Sequence, residues 1–244
     1  MELQMSNWKQ KYEADLERYL KEEKATARCE TQEIYKQHRH ARRRINYIQE
    51  PDKFYSYRYF KRHFDDYRNW QREVGEDLAL TYQISSLVDF GCGCGSYLEG
   101  ARDAGAFVRG YEFMPDLIWE VVPHHVSEFI YYGDVMQEID VGEPFDCSLS
   151  IEVAEHTLPG YEQLIVNNLI NSSRRFIFFT AARVGQGGTG HINMRPHEFW
   201  IDLFEKSGVK FDAGKSSRLS WKWKNWLGKI ARQQYKNIMV FKHY

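Results

Sequence analysis

Runs of apolar residues alternate with mixed polar segments along the second two-thirds of the chain. Three runs predict strands: Val88–Phe90, Phe107–Glu112 and Arg175–Ala182. The last is predicted to be buried, because nearly continuous apolar character is typical of strands that are covered on both faces of a sheet. Two shorter runs, Val209–Phe211 and Asn237–Phe241, predict strands near the end of the chain. Amphipathic segments between the runs predict helices, so the pattern indicates an α/β fold.

The first strand runs into a glycine-rich turn, which spans Asp89–Gly95. Glycines at alternate positions remove the Cβ atoms from one side of this loop, so the backbone can adopt positive φ and lie against a ligand. The second strand ends in Glu112, close to the roughly 20-residue spacing expected of an acid that binds a ribose. Ser96, however, stands where the dinucleotide fingerprint requires its third glycine.

The order acid-x-Gly-x-Gly-x-Gly resembles the first motif of class I S-adenosylmethionine-dependent methyltransferases. Two further segments are similar to that family. Tyr131–Val135 resembles the end of its third strand, and Phe145–His156 resembles its fourth strand with the Glu-x-x-Glu-His that often follows. A nucleotide-binding α/β domain that uses NAD is the alternative interpretation.

The resemblance implies a Rossmann-like α/β fold over residues 81–244, with a seven-stranded, mainly parallel sheet flanked by helices. It implies S-adenosyl-L-methionine as cofactor and S-adenosyl-L-homocysteine as product. Glu112 is expected to bind the ribose hydroxyls, and Asp134 is expected to face the adenine amino group. The residues expected to contact the cofactor are Asp89, Phe90, Gly91, Cys92, Gly93, Gly95, Glu112, Phe113, Asp134, Val135 and Glu152.

A second glycine-rich loop, Val184–Asn193, follows the strand that ends near Ala182. Ligands of open α/β sheets bind outside the carboxyl ends of the strands, so this loop is the predicted acceptor-binding loop. A mobile linker is the alternative, although Pro196 at a predicted first helical position indicates that the next segment is anchored. The predicted acceptor-binding residues are Gln186, Thr189, His191 and Asn193.

His156 and His191 both follow predicted strand ends, and histidine titrates near neutral pH. Either is a candidate general base, which a hydroxyl acceptor needs because it must lose a proton as it attacks. The alternative for each is a residue that shapes its loop through hydrogen bonds. Glu152 and Glu155 are candidates to orient a histidine or to hold the acceptor. The chain lacks an Asn/Asp-Pro-Pro-Tyr/Phe motif after the fourth strand, which disfavours adenine N6 methylation.

Composition narrows the class of protein further. Hydrophobic residues make up 43% of the 244 residues, which suits a globular protein with one sizeable core. No run approaches the ~18 apolar residues of a membrane span, and the charged start has no signal-peptide pattern, so a cytoplasmic location is expected. The four cysteines lack the spacing of a zinc site and are expected to be reduced. No metal site is predicted, because His38 and His40 have no further ligand at suitable spacing.

Residues 1–80 differ in composition from the rest and predict a helical, charged and aromatic extension. An arginine cluster at 39–44 is expected to be a solvated helix face, with phosphate binding as the alternative. A stripe at helical spacing is expected to pack on the core or to cover the cofactor cleft, with base stacking as the alternative. The stripe consists of Tyr57, Phe60, Phe64 and Tyr67.

A basic segment rich in Trp and Lys, near 214–236, forms the other unusual region. Its apolar face is predicted to contain Trp223, Trp226, Leu227 and Ile230. The segment is expected to be a lid with solvated lysines, and the alternative is an electrostatic contact with phosphate, an anionic glycan or a membrane surface.

The sequence therefore predicts a methyltransferase whose acceptor is a hydroxyl of a small molecule or glycan. The first alternative is a nucleic-acid or nucleotide methyltransferase that uses the basic segment. The second alternative is a noncatalytic scaffold that binds the cofactor.

Overall fold

The computed structural model describes residues 55–188 and 190–244. Most of the predicted N-terminal extension, with its arginine cluster, lies outside the described residues, and so does Thr189. Ser56–Tyr244 forms one compact unit. Its strands are β1 (Ser86–Phe90), β2 (Phe107–Glu112), β3 (Ile130–Tyr132), β4 (Phe145–Ile151), β5 (Ser173–Thr180), β6 (Lys210–Phe211) and β7 (Met239–Lys242).

Eight α-helices and one 3-10 helix connect these strands within the described part of the chain. The 3-10 helix covers Ala154–His156 and follows β4 directly. The α-helices are α1 (Tyr57–Tyr82), α2 (Ser96–Asp103), α3 (Pro115–Trp119), α4 (His124–Ser127), α5 (Glu162–Asn171), α6 (His197–Lys206), α7 (Ala213–Leu227) and α8 (Arg232–Asn237).

The seven strands form one sheet in the order β3-β2-β1-β4-β5-β7-β6. Strands β1 to β5 pair in parallel, whereas β7 is antiparallel to both of its neighbours. The predicted seven-stranded, mainly parallel sheet is therefore confirmed. Strand order reverses between β1 and β4, and this reversal opens a crevice at the carboxyl ends of the strands. The glycine turn and the segment after β4 meet at that crevice.

Helix α1 packs closely on α2 because two glycines lie at their crossing. A methyl group on Gly75 would overlap the carbonyl oxygen of Tyr97, and one on Gly100 would overlap the carbonyl oxygen of Arg72. Ion pairs join Arg68 to Glu99 and Arg72 to Asp103 along the same contact. The predicted aromatic stripe of α1 is only partly buried: Phe60 is buried, whereas Tyr57 and Tyr67 are exposed.

Helix α7 places the basic segment on the surface. The Asp212 carboxylate caps its first turn, and its buried face contains Ser216, Leu219 and Trp223. The predicted apolar face is wrong beyond Trp223, since Trp226 is 44% exposed and Ile230 is 51% exposed. The helix ends at Leu227, so the 3.6-residue period that aligned these side chains does not continue to Ile230.

Two further expectations concern helix starts and membrane spans. Pro196 is the N-cap of α6 with extended backbone, and the helix begins at His197, so its predicted place at the first helical position is wrong by one residue. Within the described residues, no helix has both the length and the apolar character needed to cross a membrane.

Candidate functional site

The glycine turn, Asp89–Gly95, is held against the end of β2 by main-chain hydrogen bonds. The backbone nitrogens of Gly91 and Cys92 donate to the carbonyl oxygen of Tyr111 at 2.8 and 3.1 Å. Gly91 has φ of 75° and Gly93 has φ of 52°, a region that favours glycine. A methyl group on Gly91 would lie 2.6 Å from the Val153 side chain, so the segment after β4 packs directly on this turn.

Gly93 differs from Gly91 because a methyl group there would meet no atom within 4 Å. This face of the turn is therefore open to a ligand. The Glu112 carboxylate lies beside it and accepts hydrogen bonds from the backbone nitrogens of Gly93 and Phe113, both at 2.8 Å. Burial raises the pKa of Glu112, and these main-chain donors oppose that shift. The carboxylate is thus fixed at the end of β2.

Asp89 is 2% exposed, and its Oδ1 atom has no hydrogen-bond partner among the described residues. Burial raises its pKa well above the usual value, and the Glu112 charge adds to the shift. An unpaired buried acceptor is costly unless a ligand supplies a donor. Phe90 is buried and stacks on Tyr111 with ring centroids 5.7 Å apart, and this contact anchors the start of the turn to β2. Cys92 is a buried free thiol whose pKa is raised by burial.

Asp134 lies just beyond the carboxyl end of β3. Its Oδ1 atom accepts from the backbone nitrogen of Met136 at 2.9 Å, and its Oδ2 atom accepts from Nε2 of Gln137 at 3.2 Å. Val135 is buried in the core beside it. The glycine turn, Glu112 and the loop after β3 thus form an acceptor-rich region. It fits a ligand rich in hydrogen-bond donors.

On the other side of the crevice, Glu152 follows β4 with φ of 56°, which is unusual for a non-glycine residue. Its backbone nitrogen donates to Oγ1 of Thr180 at 2.8 Å. Its carboxylate accepts from Nε2 of Gln186 and from Nδ2 of Asn237, both at 3.0 Å. Asn237 also donates to Oε1 of Gln186 at 2.9 Å. Sequence reasoning missed Asn237, because it lies in a polar helix distant in sequence from the motifs.

The His–Glu cluster consists of Glu155, His156 and His191. Glu155 is fully buried. The backbone N–H groups of Glu155 and Ala182 and the Glu152 carboxylate lie beside its carboxyl group, but neither oxygen makes a hydrogen bond of ordinary geometry in the part of the chain that the structure describes. Nε2 of His191 lies 3.9 Å from Oε1 of Glu155. The two imidazole rings meet edge to face with centroids 4.9 Å apart. Potential ligand atoms of all three residues lie within 4.8 Å of one another. No metal site was predicted from the sequence, because Glu155 and His156 are distant from His191 along the chain and only the fold brings them together.

Burial sets the ionisation of the cluster. Desolvation, aided by the neighbouring His191, lowers the pKa of His156 to about 3. Burial also lowers the pKa of His191. Both rings are therefore neutral near pH 7. Burial and the nearby Glu152 charge raise the pKa of Glu155 well above its usual value.

The predicted acceptor-binding residues of the loop after β5 have different partners. His191 lies within the cluster, whereas the side chain of Gln186 binds Glu152 and Asn237. Asn193 is buried, its Nδ2 atom donates to Oγ1 of Thr157 at 3.3 Å, and its backbone nitrogen donates to the carbonyl oxygen of Glu155. Asn193 thus anchors the loop to the segment after β4.

Comparison with protein-family models found no match. A curated relative, the dTDP-4-amino-2,3,4,6-tetradeoxy-D-glucose N,N-dimethyltransferase of Saccharopolyspora spinosa, is 38% identical over 84 residues. That match covers 32% of this chain and 33% of the relative, so the chain matches only about a third of the relative's length.

Solved structures match a much larger part of the chain. An amino pentose methyltransferase of Micromonospora echinaspora, with S-adenosylmethionine bound, has a TM-score of 0.53 at 15% identity and covers 72% of this chain and 91% of its own. A TehB-like S-adenosylmethionine-dependent methyltransferase of Corynebacterium glutamicum has a TM-score of 0.50 at 18% identity, covering 70% and 88%. Together with the strand order, these structures show that the chain has the class I S-adenosylmethionine-dependent methyltransferase fold.

Proposed function

We propose that the chain is an S-adenosylmethionine-dependent methyltransferase whose acceptor is a hydroxyl group of a small molecule or a glycan. One observation carries this proposal: the Glu-x-x-Glu-His segment packs on the glycine turn through the contact between Val153 and Gly91. An acceptor-rich cofactor region and a cluster of neutral histidines therefore share one crevice. Methyl transfer needs both, since donor and acceptor must be aligned and shielded from water.

The cofactor, when bound, supplies a methyl group on a positively charged sulfur. In this proposal the main chain at Gly93 lies against it, and the Glu112 carboxylate accepts hydrogen bonds from its ribose hydroxyls. Asp89 pairs its unsatisfied oxygen with the ammonium group, and Asp134 faces the adenine. Each of these side chains is an acceptor at a fixed position, so the region favours a cationic ligand rich in donors.

The histidines assist the loss of a proton from the acceptor. Nδ1 of His191 lies 3.3 Å from the carbonyl oxygen of Gln186, and donation there leaves the lone pair on Nε2 free. His191 is more accessible than Glu155 in this cluster, because its side chain is 11% exposed and that of Glu155 is fully buried. His156 is the other candidate base, and Glu152 and Glu155 orient the two rings.

The names of two similar proteins support a sugar as acceptor. The curated relative is named for an amino-deoxyglucose nucleotide, and the Micromonospora structure is named for an amino pentose. Both names describe amino sugars, so an amino nitrogen is the main alternative to a hydroxyl oxygen as the methyl acceptor.

A methyl-transfer assay tests the proposed function. The protein would be incubated with methyl-labelled cofactor and separate panels of hydroxylated sugars, amino sugars, nucleotide sugars, DNA and RNA. We expect label in a hydroxylated acceptor, with an O-methyl group seen by NMR. Label only on nitrogen would contradict the hydroxyl assignment, and label only in nucleic acid would favour the first alternative. Tight cofactor binding without turnover on any panel would favour the noncatalytic scaffold.

A further inference from the structure

We propose that Glu155, His156 and His191 bind a divalent transition-metal cation at the acceptor side of the crevice. The role of this cation in turnover rests on the function proposed above, whereas the binding itself does not. Mn²⁺, Fe²⁺, Co²⁺ and Zn²⁺ are the cations that fit two imidazoles and one carboxylate, while Mg²⁺ and Ca²⁺ favour oxygen ligands.

The distances suit a shared cation. Histidine nitrogens and carboxylate oxygens lie about 2.0 to 2.2 Å from a bound Zn²⁺, so two ligands of one cation are separated by at most about 4 Å. Nε2 of His191 and Oε1 of Glu155 are 3.9 Å apart. The ligand atoms of all three residues lie within 4.8 Å. A small movement of the rings is therefore enough to complete the site.

The buried Glu155 carboxyl must be either protonated or paired with a positive charge. The backbone N–H groups of Glu155 and Ala182 and the Glu152 carboxylate lie beside it, but neither oxygen makes a hydrogen bond of ordinary geometry within the described residues. Leaving a buried polar group unpaired costs on the order of 1 to 3 kcal/mol, and more for a charged group. Glu152 adds a second carboxylate close by. A cation placed between Glu155 and the histidines would satisfy the buried oxygens and offset this negative charge.

The rings of both histidines are held in the manner of metal ligands. Metal-binding histidines usually donate their other ring N–H to a carbonyl or carboxylate, which fixes the tautomer and the ring orientation. Nδ1 of His191 lies beside the Gln186 carbonyl, with Nε2 facing Glu155. The His156 ring bonds the carbonyl of Gly190. His191 thus uses one nitrogen to hold its loop and turns the other to Glu155, and a ring nitrogen of His156 lies within 4.8 Å of both.

Three protein ligands leave positions on the cation open. An acceptor hydroxyl at an open position would be held next to the glycine turn and made more acidic by the cation. In this arrangement the cation would replace the direct proton transfer to His191 or His156 described above, and the proton of the acceptor hydroxyl would pass to solvent water.

Cobalt titration tests the binding. Protein freed of metal with a chelator would be titrated with Co²⁺ and followed by visible absorption and calorimetry. We expect one Co²⁺ bound by this cluster, and at least about tenfold weaker binding in Glu155→Gln and in His191→Ala. His125→Ala is the control, since His125 lies 3.4 Å from Glu99 and belongs to no such cluster. Binding that is equal in wild type, Glu155→Gln and His191→Ala would overturn the proposal, and so would Mg²⁺ binding tighter than Co²⁺.

A pair of loop variants tests the same site without removing a ligand. A methyl group on Gly188 would overlap the His191 ring, whereas one on Gly187 would meet no atom within 4 Å. Gly188→Ala should therefore displace the ring and weaken Co²⁺ binding at least about tenfold. Gly187→Ala should bind Co²⁺ as wild type does. Equal Co²⁺ affinity in the two variants would contradict the role of His191.

Calorimetry with S-adenosylhomocysteine separates this proposal from the proposed function. Cluster variants that lose Co²⁺ but bind S-adenosylhomocysteine like wild type would support a metal site distinct from the cofactor region. Co²⁺ binding in a protein that binds no S-adenosylhomocysteine would overturn the methyltransferase and leave the metal site standing. Circular dichroism of each variant shows that it is folded, and Glu155→Gln keeps the shape of the buried side chain.

Discussion

The two sides of the crevice are built differently. The side proposed to bind the cofactor uses main chain and one carboxylate: Gly93 presents an open backbone, and Glu112 is fixed by two backbone N–H groups. The side proposed to bind the acceptor uses side chains from separate segments, including Glu152, Gln186 and Asn237, which bind one another. A backbone site tolerates changes in many side chains but not at its glycines. A side-chain network depends on every member, because each loss removes a hydrogen bond from a partly buried partner.

The largest expected effect is at Gly93 on the cofactor side. Gly93→Val places a branched side chain in the open space of the turn, so binding of S-adenosylhomocysteine should become undetectable by calorimetry. Gly142→Val is the matched control, because Gly142 also has positive φ, 72°, and open space around it. If both variants bind equally well, the turn does not contact the cofactor. If both unfold, backbone strain and not the ligand explains the loss at Gly93.

The next effect concerns the carboxylates of the same side. Glu112→Ala strands the two ribose hydroxyls and should cost about 1 to 3 kcal/mol of cofactor binding. Asp134→Ala should cost less, since apolar contacts are also expected to hold the adenine. Calorimetry on both variants measures the difference. An unchanged dissociation constant in Glu112→Ala would remove Glu112 from the proposed ribose site.

The difference between the two sides of the crevice also explains which parts of the molecule could be predicted from the sequence. The strand β2 was predicted with its observed bounds, because an apolar run and a terminal acid are local features. The glycine turn was recognisable for the same reason. The partnership of Glu152 with Asn237 was not predictable, because it joins residues 85 positions apart. The helix period over Trp223–Ile230 failed because it took no account of where α7 ends.

Asn237 provides the test of the acceptor side. Asn237 is fully buried, and Asn237→Ala removes the donor to Oε1 of Glu152 and to Oε1 of Gln186. The free energy of unfolding of the Asn237→Ala variant should be about 1 to 3 kcal/mol lower than that of the wild type. Asn225→Ala is the control, because Asn225 is exposed and its Nδ2 atom bonds only its own helix. Urea denaturation measures both variants, and equal stability would show that the network contributes little.

The smallest expected effect lies in the basic segment, which belongs to neither side of the crevice. Lys222 forms a partly buried ion pair with Asp77 of α1, outside the residues proposed to bind the cofactor, so its loss affects stability more than ligand binding. Neutralising Lys222, Lys224 and Lys229 together should therefore leave cofactor binding and turnover of a small acceptor nearly unchanged. A nucleic-acid enzyme would behave differently, because lysines on a phosphate backbone release counterions and make binding fall steeply with salt. Salt-sensitive retention of DNA or RNA by wild type in a filter assay, lost in the triple variant, would favour that alternative over the sugar or small-molecule acceptor.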